Sequence, residues 1–182
     1  MVAMAGAPLR VLLTGPPGCG KTTAVVRIVG ALDKRVRMAG FYTEEIREAD
    51  RRVGFCWHRL DGRTGTLAHV KITSPHRVSK YGVDLATFEG EAVSVLDPEA
   101  PDVELFVIDE IGKMECLSEE FVAAIRRLLK SHKSVLATVA QKGPGLIQQV
   151  KSYPGVELLP LTRENREEVT RQVADRLVSS TK

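Results

Sequence analysis

No stretch of this 182-residue sequence approaches the roughly 18 consecutive apolar residues that a membrane-spanning helix needs. The start, MVAMAGAPLR, lacks a basic lead segment, and Gly6 and Pro8 break its short apolar run, so no secretory leader is expected. Cysteine is scarce. Cys19, Cys56 and Cys116 are odd in number and show neither C-x-x-C nor Cys/His ligand spacing. Neither a disulfide framework nor a zinc site is suggested, and a reducing, cytoplasmic setting is expected. Charge of one sign is also lacking. A net charge of +3 from 26 basic and 23 acidic side chains is too slight for the concentrated basic stripe of a nucleic-acid binder.

What remains is 43% hydrophobic and 27% charged, the profile of a globular chain with a real core. The length suits one domain, residues 1–182, behind a short N-terminal tail over 1–8. Leu9 to Thr14 is a short apolar run that reads as a buried strand. After a Gly/Pro-rich turn, Ala24, Val25, Ile28, Val29 and Leu32 recur at helical spacing. The texture then changes to a β-meander over about 40–73, with the turn signal Asp61-Gly62. YGVDLATFEGEAVSVL reads as a loop and then a helix. Beyond Pro101 the alternation resumes with the continuous apolar strand VELFVID, the form expected when both sheet faces are covered. Ser118 is placed to cap a helix with Phe121, Val122, Ile125, Leu128 and Leu129 inside. The strand KSVLATVA, the short helix GLIQQVKS and the strand VELLPL follow. Thr162 is placed to cap a last helix that buries Val169, Val173 and Leu177. The sum is a three-layer α/β domain: a mainly parallel sheet with an antiparallel β-meander extension.

Gly15-Pro16-Pro17-Gly18-Cys19-Gly20-Lys21-Thr22 fits G-x-x-x-x-G-K-[ST], between a strand and a helix. Glycines let successive backbone N–H groups face one anion, and the helix start adds its positive end. In such a loop Lys21 reaches the terminal phosphates and the Thr22 hydroxyl binds Mg²⁺. A second strand, Leu105, Phe106, Val107, Ile108, delivers Asp109 as the further Mg²⁺ holder, and then Glu110, Ile111 and Gly112. D-x-x-G is also a nucleotide-switch motif, but no N-K-x-D for guanine exists in the chain. Glu110 therefore reads as the residue that orients or deprotonates an attacking water, and Gly112 as a turn glycine.

The blocks GPPGCGKTT, GFYTEEIRE, YGVDLATFE, VIDEIGKME with LSEEF, and LTRENR stand in an order that resembles a known family. It is that of the small stand-alone nucleoside-triphosphatases first described from thermophiles, with vertebrate members called cancer-related nucleoside-triphosphatases. The resemblance implies a P-loop NTPase fold and Mg²⁺-dependent hydrolysis of nucleoside 5′-triphosphates, ATP, GTP and others, with loose base selectivity. It places nucleotide contacts on Gly15 to Thr23 and on Leu105 to Gly112. Cys116 departs from the bulkier apolar residue usual in the family.

Weaker candidates surround these. Tyr42, Thr43, Glu44 or Glu45 can reach the phosphate side, although alternation sends the two glutamates to opposite faces and a surface strand end is an equal reading. Lys113 and Glu115 follow the Asp109 strand and either support the site or pair with each other. Thr138, or its neighbour Gln141, stands where a phosphate-sensing polar residue would sit. Asn165 either approaches the base or belongs to a helix start. Arg77, Arg163 and Arg166 are candidate charge neutralisers, with surface solvation the simpler reading of each. His58 and His69 fit exposed strand positions. Cys19 is either a reactive thiol beside Lys21 or a small filler. Two other functions fit the loop: a small-molecule or nucleotide kinase, and a nucleotide-gated binding module using Val53, Phe55 and Trp57 as its surface. A kinase needs an acceptor pocket and commonly an arginine-rich lid, and no such lid is evident between the helix at Ser118 and the last strand.

Overall fold

The computed structural model describes residues 7–181, so most of the expected N-terminal tail lies outside the described residues. Strand β1 (Arg10–Thr14) is followed by the glycine loop and α1 (Lys21–Leu32), whose inner stripe is Ala24, Val25, Ile28 and Leu32. β2 (Met38–Glu48), β3 (Arg51–Arg59) and β4 (Thr64–His69) form the expected antiparallel meander. Ala49 and Asp50 join β2 to β3 with φ of 45° and 62°, the handedness that matches the twist of paired strands.

The meander continues further than its sequence suggests. β5 (Arg77–Val78) and β6 (Tyr81–Val83) extend the sheet where a loop is expected. The helix expected next is broken into a single turn, α2 (Leu85–Thr87), a π-helical turn over Phe88–Ala92 and a 3₁₀ turn over Val93–Val95. Gly90 and two valines make a poor α-helix here. Burial of Phe88, Ala92 and Val93 sets the winding instead. Phe88 packs 5.4 Å from Phe41 and 5.7 Å from Phe121, ring centre to ring centre.

β7 (Leu105–Ile111), α3 (Glu119–Lys130), β8 (Ser134–Val139), α4 (Leu146–Lys151), β9 (Val156–Pro160) and α5 (Arg166–Ser180) complete the chain. Ser118 caps α3 as expected, its Oγ accepting the Phe121 N–H at 3.0 Å. Thr162 does not cap the last helix directly, because α5 starts only at Arg166. Thr162 and Asn165 instead bond each other: Thr162 N donates to Asn165 Oδ1 at 2.8 Å, and Asn165 N to Thr162 Oγ1 at 3.2 Å.

Among the described residues nine strands form one sheet in the order β5-β6-β4-β3-β2-β7-β8-β1-β9. Its β2-β7-β8-β1-β9 half is parallel and the rest antiparallel, the mixed α/β architecture expected. Alternate residues of the central strands feed two cores. Val11, Leu13, Leu105 and Val107 share one with residues of α1 and α5, and Leu12, Phe106 and Ile108 the other with residues of α3 and α4. Such double coverage is why LFVI carries no polar alternation.

β7 pairs with β2 only from Met38 to Phe41. At Gly40, with φ of 126°, an added Cβ would stand 1.9 Å from the Val107 carbonyl oxygen, so only glycine permits this approach. Beyond Phe41 the β7-facing edge of β2 is released from the ladder, and that free edge meets the functional site.

Candidate active site

The loop after β1 closes tightly on itself. Gly18 and Gly20 take φ of 74° and 99°, and Cys19 N donates to Pro16 O at 3.2 Å. A Cβ at Gly20 would fall 2.4 Å from Arg166 Nη1, so the missing side chain is what lets the Arg166 guanidinium lie on the loop. Lys21 Nζ donates to Gly15 O at 3.0 Å and stands 3.8 Å from Glu110 Oε2. The carboxylates at the end of β7 thus have a cation beside them.

β8 lies between β1 and β7, and the three strands converge on one carboxylate. Asp109 is 1% exposed. Its Oδ2 accepts the Thr22 hydroxyl at 2.7 Å, and its Oδ1 accepts the Thr138 hydroxyl at 2.5 Å. The free edge of β2 adds the Thr43 N–H, at 3.4 Å from Oδ2. Burial pushes the Asp109 carboxyl up, against the pull of these bonds and of Lys21. The Asp109–Glu110 peptide is cis, at the break in pairing to β8 between Ile108 and Ile111.

Glu110 opens into the cleft, where burial raises its proton affinity and the Lys21 charge opposes it. Behind it lies Glu115, 5% exposed, its carboxyl pushed up to about 8 by burial and by the Glu110 charge. A Cβ at Gly112 would sit 2.8 Å from Glu115 Oε2 and 3.0 Å from Glu110 Oε1. Gly112 therefore separates two carboxyl groups at the turn.

A cleft of about 580 Å³ opens over these groups. Its floor is Pro17, Gly18, Gly20, Lys21, Thr22 and Thr23; its walls include Thr43, Glu44 and Glu45, Arg52 and Phe55, Glu110, Lys113 to Glu115, and Arg166. Glu44 and Glu45 both line it, where alternation allowed one. The strand meets the cleft with its released edge rather than a face.

Several sequence candidates lie elsewhere. Leu105, Phe106, Val107 and Ile108 are fully buried and Ile111 nearly so; they deliver Asp109 and Glu110 without meeting the cleft themselves. Thr138 has no exposure, and its hydroxyl reaches Asp109 rather than the cavity. Gln141 is exposed, its carbonyl held by Lys151. The Asn165 amide is tied to Thr162 and to Pro160 O, at the start of α5. Arg77 bonds Lys80 O at 2.9 Å, and Arg163 is exposed. Arg166 alone of the three arginines lines the cleft, and its buried Nε has no hydrogen-bond partner among the described residues. Cys19 is 3% exposed, and its sulfur packs where a Gly15 Cβ would stand, 2.7 Å away, as a filler does. Trp57, 2% exposed, belongs to the core rather than to a partner surface. His58 is half-buried rather than an exposed strand residue.

Arg52 and Met114 were not among the sequence candidates. Arg52 donates to Glu45 at 2.8 Å and to the Tyr81 hydroxyl at 3.1 Å. No local pattern marks it, because a hairpin brings it there. Among the described residues no helix is long and apolar enough to cross a membrane.

A family model described as NTPase matches residues 10–174. Nucleoside-triphosphatase THEP1 of Thermotoga petrophila is 37% identical over 165 residues, covering 91% of this chain and 90% of the relative. Cancer-related nucleoside-triphosphatase of Homo sapiens is 37% identical over 186 residues, covering 94% and 98%. The crystal structure of THEP1 from the hyperthermophile Aquifex aeolicus superposes with a TM-score of 0.83 at 33% identity, covering 93% of this chain and 99% of that one. The solution structure of the human cancer-related enzyme gives 0.80 at 37% identity, covering 96% and 100%. A phosphate loop, a buried Asp109 bonded to Thr22, and likeness along nearly the whole length agree, and the chain belongs to the NTPase family as a nucleoside-triphosphatase.

Proposed function

We propose that the chain hydrolyses nucleoside 5′-triphosphates of several bases to diphosphate and phosphate, with Mg²⁺, in the cytoplasm. The observation that carries this reading is the meeting of Thr22, Asp109, Lys21 and Glu110 at one end of the cleft. The donor set suits the metal: a hydroxyl and a carboxylate 2.7 Å apart are hard oxygen ligands of the kind Mg²⁺ takes beside substrate phosphates. Thr22 and Asp109 would hold it, and when bound it would neutralise charge on the phosphate oxygens.

The protein's own groups divide the remaining work. Loop N–H groups and Lys21 bind the phosphates, and the Arg166 guanidinium, lying on the loop at Gly20, offsets further negative charge. Glu110 orients a water and takes its proton as the water oxygen bonds to the γ-phosphorus and the bond to the bridging oxygen breaks. Thr138 and the Thr43 N–H keep Asp109 aimed. Such catalysis rests on positioning and fixed charge. The three free thiols support a reducing compartment.

The test is phosphate release from a panel of nucleoside triphosphates with Mg²⁺ and no acceptor, run on wild type and Glu110→Gln together. Release across several bases, lost in the variant while nucleotide still binds, is the expected result. Silence from both proteins would overturn the hydrolytic reading and direct the search to an acceptor substrate or a protein partner.

A further inference from the structure

On the β2–β3 ribbon, register sets Glu44 directly opposite Cys56, and Tyr42 opposite His58. Period-two alternation puts all four side chains on one face, away from Thr43 and Trp57. His58 Nε2 lies 3.2 Å from Cys56 Sγ and 3.2 Å from Glu44 Oε2. Donor atoms of the three residues all fall within 4.8 Å of one another. The His58 ring stacks on Tyr42 at 5.1 Å and 20°, which fixes the plane in which Nε2 points.

In the free protein the Cys56 thiol donates to the Glu44 carbonyl oxygen at 3.6 Å, and a His58 tautomer with Nε2–H donates to the Glu44 carboxylate. A cation at the centre would replace these bonds, meeting one sulfur, one nitrogen and one oxygen donor from the same face. Tetrahedral zinc, with bonds of about 2.3 Å to sulfur and about 2.0–2.1 Å to nitrogen and oxygen, sets its donors roughly 3.2–3.6 Å apart.

We infer that Glu44, Cys56 and His58 form a site for a thiophilic divalent cation of the Zn²⁺ class, with a fourth position open to solvent. Thiolate plus imidazole selects such an ion over Mg²⁺, whose preference is for oxygen alone. Burial and the Glu44 charge push the Cys56 thiol up, so the free protein carries the proton there, and binding releases it to solvent as the metal–sulfur bond forms. The site is separate from the Thr22–Asp109 pair and does not depend on the hydrolytic reading. Glu44 nevertheless lines the nucleotide cleft, and Thr43 beside it holds Asp109. Occupancy would therefore pin the ribbon next to the catalytic end of the sheet.

Co²⁺ is the probe, because a thiolate bound to it gives a near-ultraviolet charge-transfer band that oxygen ligands do not. The titration is run in excess Mg²⁺, with circular dichroism confirming that each variant is folded. Wild type should develop the band with one ion per chain and lose it when Zn²⁺ is added. Cys56→Ser should abolish it, and His58→Ala and Glu44→Gln should each weaken binding about tenfold or more. Cys116→Ala should leave it intact, since that thiol is not among the clustered donors. No band in wild type, a band that survives in Cys56→Ser, or unchanged affinity in both His58→Ala and Glu44→Gln would overturn the site.

Discussion

Thr138 has no surface to offer a ligand, but its hydroxyl is one of the few groups that fix the Asp109 carboxylate. Thr138→Val keeps the shape and removes the donor. Its cost should appear as a 10–100-fold rise in the Mg²⁺ needed for half-maximal phosphate release, with Thr138→Ser close to wild type. An unchanged Mg²⁺ dependence would dissociate Thr138 from the metal. Glu115 makes a different prediction. Its carboxyl binds a proton up to about pH 8 in the folded state, against 4.5 ordinarily. Between those values the folded chain holds the proton more tightly than the unfolded one, so the Glu115 contribution to stability is full below about 4.5 and is lost as pH rises to about 8. In Glu115→Gln, urea unfolding should lose this decline; a slope equal to wild type would assign it to another group. At this scale the sequence was readable where spacing along the chain is itself the chemistry, as from Gly15 to Thr22. It was silent where partners come from neighbouring strands. Cys56 and His58 show no ligand spacing because Glu44 reaches them across a ladder.

Among the elements, the β2–β3 hairpin turns on two residues that are not glycine. Ala49 holds φ of 45°, a conformation that costs an L-residue roughly 1–2 kcal/mol. Asn tolerates it better, so Ala49→Asn should raise stability by about 0.5–1 kcal/mol in urea unfolding. A loss of stability would mean that the left-handed backbone at this exposed turn is not what limits the hairpin. Gly40→Ala should act oppositely, costing about 2–4 kcal/mol, because the methyl would press on the Val107 carbonyl where β2 joins β7. The strand and helix periods of the parallel half were legible, since a buried LFVID and an amphipathic α3 are local patterns. The segment from Leu85 to Val95 was not. Its weak helical propensity leaves the winding to the burial of Phe88 between Phe41 and Phe121, residues distant in the chain.

For the molecule as a whole, ligand linkage gives a check that needs no turnover. A non-hydrolysable triphosphate with Mg²⁺ at about 100 times its Kd should add about 2.7 kcal/mol of stability, a rise of roughly 5–10 °C in Tm. Lys21→Ala should abolish the rise. A shift preserved in that variant would place the nucleotide elsewhere than the loop. The α/β class could be read from the alternation of elements, whereas the strand order, with β8 lodged between β1 and β7, arises only when the chain closes on itself. That order also decides how the sheet ends. One rim is β5, two residues long; the other is β9, five residues finishing in Pro160, with Glu157 held by Arg176 of α5. A sheet this wide invites self-templating at its borders, which a two-residue strand at one rim and a closing proline at the other both oppose. The two rims therefore disfavour pairing with a stray chain, while the released edge of β2 beyond Phe41 is turned to the cleft instead.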